Sequence, residues 1–346
     1  MERSFMDLAF SEAANGLGNV KINPCVGAVL VFEQRIIGKG YHTAYGKLHA
    51  EIEALNSVSS SGAHQIPHST LYCTLEPCFH HGKTPPCVQR VLKEKIKHVV
   101  VAYIDPNPEV SEKSIALMRS EGVLVEILSE TMPNIFEAAF RKTLLPFFTN
   151  QKFNRPYIIL KWAQSKDGFI SKHGENTAIS NEFTRYEVHK WRSQLDAIMV
   201  GTNTVLVDNP ELSNRLYFGN SPVRITFESA LCKAPNAKLF TDGNQTWIIS
   251  SKGIQKNQTF HPFDAQKDFR EILTELYKNK IGTLLVEGGA ELLNTFIENN
   301  LFDEARIITS ANYLFEGVAA PKLNSNFILD RTETFTGDCI EYFFKN

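Results

Sequence analysis

Apolar positions in this chain come in short runs broken by polar turns, which predicts small mixed α/β domains rather than long helices. Phe5, Leu8, Ala9 and Ala13 recur at helical spacing until Gly16 and Gly18 stop them. Residues 26–32 form an apolar run read as a buried strand, and Glu33-Gln34-Arg35 turns it into a second strand over 36–40. A helical pattern covers 50–58 and a strand pattern 70–75. Pro86 opens a helix over 86–95, since proline suits a first helical turn. Strands follow at 98–104 and 123–128, around a helix near 114–120. Residues 136–145 read as a last helix stopped by Pro146, and 147–156 as a linker. The alternation then restarts, with strands at 157–163, 197–200, 223–227, 247–250 and 283–286 and helices at 183–193, 268–278 and 290–299. Such alternation makes layered α/β domains, here two, over 1–146 and 157–346. No internal repeat or low-complexity tract interrupts them.

Length agrees with this division, because 346 residues suit two domains of about 150–200 residues each. A formal net charge of −2 offers no overall basic field, so nucleic acid is not expected as a partner. No apolar run approaches the roughly 18 residues of a bilayer span, and the N-terminus lacks an apolar signal segment. A cytoplasmic protein off the membrane is expected. Six cysteines are too few for a disulfide scaffold, yet Cys73, Cys78 and Cys87 lie within fifteen positions. In a cytoplasmic chain such a cluster points to metal or catalysis.

His49-Ala50-Glu51, followed by Pro77-Cys78 and Cys87, matches the parts of a zinc hydrolytic deaminase. In that chemistry zinc takes one His and two Cys, keeps a position for water, and lowers the pKa of that water to roughly 7. Glu51 is then the general acid/base, passing a proton to a ring nitrogen and to departing ammonia. His49 and Glu51, two apart, converge only where the chain enters a helix, before the helical period separates them. Cys87 is expected in the first turn of the next helix, where thiolates are favoured. The bland alternatives are that Cys73 only packs, and that His80 or His81 closes a structural zinc site as fourth ligand.

Taken in order, Asn23-Pro24-Cys25-Val26-Gly27, Gly40-Tyr41-His42, His49-Ala50-Glu51, the run from Glu76 to Cys87 and Asp105-Pro106-Asn107-Pro108 resemble the RibD family of bifunctional riboflavin-biosynthesis enzymes. The resemblance implies a cytidine-deaminase-like three-layer α/β/α first domain. It further implies deamination of 2,5-diamino-6-ribosylamino-4(3H)-pyrimidinone 5′-phosphate. The eight residues between Cys78 and Cys87 then have a rationale, for a phosphate dianion needs cations and this loop carries His80 and Lys83. By resemblance His80 and Lys83 meet the phosphate, Asn23 and His42 the substrate, and Asp105 and Asn107 the ribose-phosphate side. Two departures stand out: Ile22 where the family often has Pro, and Glu112-Lys113-Ser114 where it often has Gly-x-Gly.

The second half carries weaker signals of its own. Glu287-Gly288-Gly289-Ala290 follows an apolar run and opens a helix, where backbone amides approach a phosphate or simply make a tight turn. Gly201-Thr202-Asn203-Thr204 reads as a second loop for phosphate or ribose. Leu160-Lys161-Trp162-Ala163, Trp191-Arg192-Ser193, Asp208-Asn209-Pro210, Arg215 and Glu287-Gly288-Gly289 resemble the reductase half of the same family, which is similar in fold to dihydrofolate reductase. That resemblance implies NADPH-dependent reduction of the ribosyl group of 5-amino-6-(5-phosphoribosylamino)uracil to ribityl. It places Ala163, Ala178, Thr204, Asp208 and the segment Gly289, Ala290, Glu291, Leu292, Leu293, Asn294 and Thr295 on the cofactor. Asn176, Arg192, Leu212, Arg215 and Glu287 face the substrate, the two arginines as phosphate clamps, and Lys161 steadies charge at the opening ribose. Ala178 stands where the family commonly has Trp, and Asn209 where it has a second Asp.

The expectation is therefore one zinc ion, NADPH, phosphorylated pyrimidine substrates and a homo-oligomer, dimer or tetramer. Two rivals remain: a nucleoside or nucleic-acid deaminase with an unrelated C-terminal domain, and a structural-zinc scaffold with a degenerate nucleotide-binding half. A non-ligand Glu51 argues against the second, which has no use for it.

Overall fold

A two-residue turn starts the first sheet. Strand β1 (Gly27–Phe32) pairs antiparallel with β2 (Arg35–Tyr41) around Glu33 and Gln34, whose φ values of 45° and 63° are those a tight hairpin demands. β3 (Thr70–Leu75) runs antiparallel to β1, and β4 (His98–Tyr103) and β5 (Leu124–Ile127) continue parallel to β3, giving the order β2-β1-β3-β4-β5. The structure, a computed structural model, describes residues 2–79, 85–108, 110–250, 260–264 and 268–345, with backbone alone at Glu2 and 260–264.

Two glycines fix the layers. Gly40 pairs with Ala28, so it faces the side of the sheet opposite to Gly27. A Cβ on Gly27 would lie 1.9 Å from the Ala9 carbonyl oxygen, and one on Gly40 would lie 2.4 Å from the Ala54 amide nitrogen. The helix Glu2–Ala13 therefore lies directly on one face and the helix Ala50–Asn56 on the other. The expected three layers are present.

The stretch 147–156, expected as a linker, is mostly helix. Leu145–Phe153 is helical with Pro146 in its first turn and with Phe147, Thr149 and Asn150 buried. Proline starts this helix rather than stopping the one before it, because a first-turn residue has no intrahelical N–H bond to lose. Asn154, left-handed at φ 54°, ends it, and the chain divides into compact units at Met1–Asn154 and Arg155–Asn346.

In the second unit β6 (Tyr157–Gln164) and the short β7 (Phe169–Ser171) precede the central strands β8 (Ala197–Met199), β9 (Val223–Phe227), β10 (Thr246–Ser250), β11 (Phe260–Asp264), β12 (Thr283–Glu287) and β13 (Glu304–Thr309). After them come β14 (Val318–Ala319), β15 (Phe327–Phe335) and β16 (Asp338–Lys345). The main sheet runs β11-β10-β9-β8-β12-β6-β13-β16-β15, parallel as far as β13 and antiparallel in the last hairpin. β7 and β14 form a separate pair. The supposed loop 201–204 is a second departure, since Gly201 caps a helix that begins at Thr202 and runs to Asp208. No helix among the described residues is long and apolar enough to cross a membrane.

The close seat of the helix Ala50–Asn56 on Gly40 yields a prediction. Gly40→Ala puts its new methyl against Ala54 and 2.5 Å from Glu53 Cβ, an overpacking that costs about 1–3 kcal/mol. Chemical denaturation is expected to show that loss, with a lowered zinc content in the purified protein. An unchanged midpoint and full metal would mean the helix is not pinned there.

Candidate active sites

The first site forms where β3 ends and two helices begin. His49 is the N-cap of the helix Ala50–Asn56, with extended backbone at φ −79° and ψ 162°. The helix proper starts one residue later, so His49 and Glu51 reach the same place despite a spacing of two. Cys78 follows β3, and Cys87 opens the helix Cys87–Lys93 with Pro86 as its cap. The ligand atoms of His49, Cys78 and Cys87 all lie within 4.8 Å of one another. Cys87 Sγ is 3.4 Å from His49 Nδ1, and the Cys87 amide donates to Cys78 Sγ at 3.2 Å.

Electrostatics mark the cluster as short of positive charge. Hydrogen bonds from Cys87 and His49 lower the Cys78 thiol, while Cys87 is raised by that same bond and by burial. His49 is raised to about 9 by its hydrogen bond to Cys78, against the effect of burial. Burial, followed by the Cys78 charge, raises Glu51 to about 7. Glu51 is 3% exposed and its carboxyl is hydrogen-bonded to Cys87. One imidazole and two thiols form a tetrahedral donor set with a place to spare, so the residues fit zinc. Cys73 is fully buried in the core, as the packing alternative expects.

Asn23 and His42 come together beside this cluster. Asn23 Nδ2 donates to His42 Nε2 at 3.0 Å, so His42 carries its proton on Nδ1 and donates it to the Leu48 carbonyl at 2.9 Å. Burial lowers the His42 pKa, consistent with this neutral form, and its ring stands edge-on to His49 at 5.4 Å. Asp105 and Asn107 lie in the loop after β4, where Asp105 Oδ1 accepts the Asn107 amide at 2.8 Å. His80, His81 and Lys83 lie outside the described residues.

Glu76 was missed in the sequence. It is 3% exposed, two residues before Cys78, and accepts from the amides of Asp105, Glu112 and Ser114 and from Ser114 Oγ at 2.8 Å. It thereby ties the Cys78 turn to the Asp105 loop. Glu112 holds a left-handed φ of 62°, the kind of position glycine fills without strain, which explains the family's glycine there. Ser114 compensates by adding a hydroxyl donor to Glu76. The sequence signal was a carboxylate at a strand end with no solvent-facing pattern around it.

The second site is a cavity of about 1330 Å³ along the carboxyl ends of β6, β12, β8 and β9. At one end Glu287 accepts from Arg192 Nη2 at 2.8 Å and Nε at 3.2 Å, and Lys161 Nζ stands 3.7 Å away. Burial pushes the Glu287 carboxyl up, but Arg192 and Lys161 outweigh it and hold it at about 2. Burial lowers the Lys161 amine, and Glu287 partly restores it. Asn176, Leu212 and Arg215 also line this space, Leu212 at a strained φ of 55° and Arg215 exposed at the rim beside Glu211 at 3.5 Å.

Of the residues expected at the cofactor, Ala163, Ala178, Thr204 and Asp208 line the cavity, and so do Gly289, Ala290, Glu291, Leu292 and Thr295. Leu293 and Asn294 do not line the cavity, and Leu293 is fully buried in the core. The segment is a helix, and its 3.6 period turns those two positions away. The Gly289 amide donates to Thr204 Oγ1 at 3.0 Å, and a Cβ on Gly288 would stand 3.2 Å from that oxygen. The first intrahelical bond runs from Leu293 to Gly289, so the amides of residues 290–292 precede it. A bare turn at a helix start fits a phosphate-bearing nucleotide. Ser229, Lys233 and Phe269 extend the cavity and were not anticipated. Asn209, left-handed at φ 42°, ends the helix Thr202–Asp208 and accepts the Lys238 amide, a place asparagine fills well.

Comparison with known proteins matches these two sites to two families. Residues 1–103 match the cytidine and deoxycytidylate deaminase zinc-binding region, and residues 156–318 match the RibD C-terminal domain. Riboflavin biosynthesis protein RibD of Aquifex aeolicus is 35% identical over 92% of this chain and 89% of its own. That of Bacillus amyloliquefaciens is 34% identical over 94% and 88%. A Thermotoga maritima diaminohydroxyphosphoribosylaminopyrimidine deaminase/5-amino-6-(5-phosphoribosylamino)uracil reductase superposes with a TM-score of 0.89 at 30% identity, covering 99% of this chain and 98% of that one. Acinetobacter baumannii RibD superposes with a TM-score of 0.86 at 27% identity, covering 100% and 99%. With a zinc-binding deaminase region in its first half and a reductase domain in its second, the chain belongs to the RibD family of bifunctional deaminase/reductases of riboflavin biosynthesis.

Proposed function

We propose that the first unit deaminates 2,5-diamino-6-ribosylamino-4(3H)-pyrimidinone 5′-phosphate and that the second reduces the resulting ribosylaminouracil phosphate to its ribityl form with NADPH. The observation that carries the first step is the convergence of His49, Cys78 and Cys87 beside a buried carboxylate that is not itself among them. One zinc ion held by those three residues would make a water acidic enough to attack at neutral pH. A dication there, taken in exchange for protons, would pull the Glu51 carboxyl down and so let Glu51 enter as the base. It takes one proton from the attacking water and gives it to the pyrimidine ring nitrogen, then takes the remaining hydroxyl proton of the tetrahedral adduct and gives it to the amino group, which leaves as ammonia while the carbonyl forms. Asn23, fixed by neutral His42, turns its side-chain oxygen to the substrate. Asp105 and Asn107, with His80 and Lys83, take the ribose-phosphate side.

In the second unit the cavity supports the reading, with charged groups at one end and a bare helix start beside it. NADPH bound there would supply the hydride. Ala163, Ala178, Thr204, Asp208 and the 289–292 turn hold the cofactor, Thr204 by fixing the turn through the Gly289 amide. Lys161, kept close by Glu287, steadies the ribose oxygen as the ring opens. Arg192 and Arg215 bind the phosphate, while Asn176 and Leu212 shape the pocket. A cytoplasmic location and assembly into a dimer or tetramer belong to the same reading. The direct test supplies the diaminopyrimidinone phosphate with and without NADPH and follows ammonia and NADPH separately. Ammonia is expected in both cases, and NADPH oxidation only after it; NADPH loss without prior ammonia release would reverse the order.

Three outcomes follow from the two sites. Glu51→Gln is expected to keep its zinc while ammonia release falls about 10²–10⁴-fold; a fully active variant would remove Glu51 from the chemistry. Because His49 sits near 9 before metal binds and Cys87 is raised, zinc must displace protons. Its affinity should therefore climb about tenfold or more per pH unit between pH 6.5 and 8.5 in a chelator competition, whereas a flat profile would contradict this ligand set. Arg215→Ala is expected to raise the reductase KM for phosphorylated substrate roughly tenfold or more and to leave ammonia release unchanged. Equal effects on a dephosphorylated analogue would take Arg215 off the phosphate.

A further inference from the structure

Arg215 is held in place by its backbone rather than by its side chain. The side chain is 56% exposed, and its ion pair with Glu211 at 3.5 Å, itself 39% exposed, is of a kind that fixes little. The backbone around it belongs to a closed loop over 213–221. Asn214 braces that loop from inside, its amide donating to Ser221 Oγ at 2.9 Å and its Nδ2 to the Gly219 carbonyl at 3.2 Å. These bonds tie the backbone of Arg215 into the loop, so whatever docks the loop also places Arg215.

What docks it is one face of the helix Glu182–Ser193. Tyr186, His189 and the Arg192-Ser193 pair follow one another at three- and four-residue steps, a single stripe on that helix. Each meets the loop. Tyr186 stacks edge-on with Tyr217 at 5.2 Å, and Arg192 Nη1 donates to the Ser213 carbonyl at 3.3 Å. Gly219, with φ at 121°, leaves room for Ser193, whose Cβ would stand 2.9 Å from any Cβ added there. The remaining contact falls on Arg215 itself: its amide donates to His189 Nδ1 at 3.2 Å.

We infer that His189 is a positioning residue for the reductase, latching the 213–221 loop to the helix that carries Arg192 and so setting the distance between the two arginines. His189 is 4% exposed and is not part of the cavity wall, so it does not touch what the cavity binds. To accept the amide, Nδ1 must carry no proton. Burial, with Arg192 and Arg215 adding to it, lowers the ring to about 4, so it stays neutral at working pH. The latch matters because one phosphate can be gripped by both guanidinium groups only when their spacing is held. The inference rests on Arg215 meeting the substrate phosphate.

The test uses the full chain with zinc and NADPH and measures reductase kcat and KM on phosphorylated and dephosphorylated substrate. Four variants are compared: Arg215→Ala, His189→Leu, His189→Asn and Gly219→Ala. His189→Leu removes the acceptor and is expected to raise KM for the phosphorylated substrate roughly tenfold, with kcat within about twofold. The dephosphorylated substrate and the KM for NADPH should be unaffected. His189→Asn, whose side-chain oxygen can take the place of Nδ1, should recover most of the loss. Gly219→Ala forces the loop off Ser193 without touching the core and should give the same KM-selective defect, deciding the matter if His189→Leu does not fold. If Arg215→Ala raises KM while neither His189→Leu nor Gly219→Ala does, the latch is refuted and the phosphate reading stands. A fall in kcat with KM unchanged, or an Asn variant no better than Leu, also refutes it. Should Arg215→Ala leave KM unchanged, the phosphate reading falls and takes the latch with it.

Discussion

Charge taken out of water must be balanced, and how each site balances it dictates what the site can bind. Both sites form at the carboxyl ends of parallel strands, the usual binding edge of such sheets. In the first unit the stripped groups are acidic: two thiols and the Glu51 carboxyl, with His49 the basic group set among them in the described residues. Without a metal, the bond to Cys78 raises His49, bonds from Cys87 and His49 lower Cys78, and burial raises Glu51. A dication removes that deficit. In the second unit Lys161 and Arg192 surround Glu287, and Arg215 stands at the rim beside Glu211, three cations against two carboxylates. That excess is positive and suits an anionic ligand. Opposite imbalances on one chain thus suit a metal at the first site and an anionic group at the second.

Neither balance survives without backbone placement, which comes from unassuming residues. Gly27 and Gly40 let helices lie directly on the first sheet, and the second of those helices delivers His49 and Glu51. Glu76 spends its whole carboxylate on amides and a hydroxyl, joining the turn before Cys78 to the loop of Asp105. Thr204 does similar work in the second unit, holding the Gly289 amide so that the turn keeps its shape. Each of these residues restricts where a neighbouring group can be.

Much of the first unit was legible in the sequence because its ligands are chemically distinctive and fall at element ends. The paradox of His49 and Glu51, two apart yet convergent, resolves at the N-cap as the spacing demanded. Pro146 misled because proline stops one helix and starts another with the same rigid φ, and only the buried Phe147 and Asn150 decide between them. The role of Glu76 could not be read from the sequence because three of its four donors are backbone amides, which leave no mark there. In the second unit, no element was read beyond residue 299, although Ile340, Tyr342 and Phe344 alternate as buried positions on β16 in the strand period. His189 lay inside a helix of ordinary pattern, and only the loop folded against it gives it a role. Gly201 read as loop because its helix begins one residue later, a boundary that local composition does not sharpen.

The account turns on the first site holding its metal through three protein groups and keeping a fourth position for water. X-ray absorption at the zinc edge of the loaded full chain measures this directly. The account predicts two sulfur neighbours, two light neighbours and outer-shell scattering from a single imidazole. A third sulfur, or scattering from two imidazoles, would mean that Cys73, His80 or His81 closes the site. In that case the zinc is structural and the deaminase chemistry assigned to it is wrong.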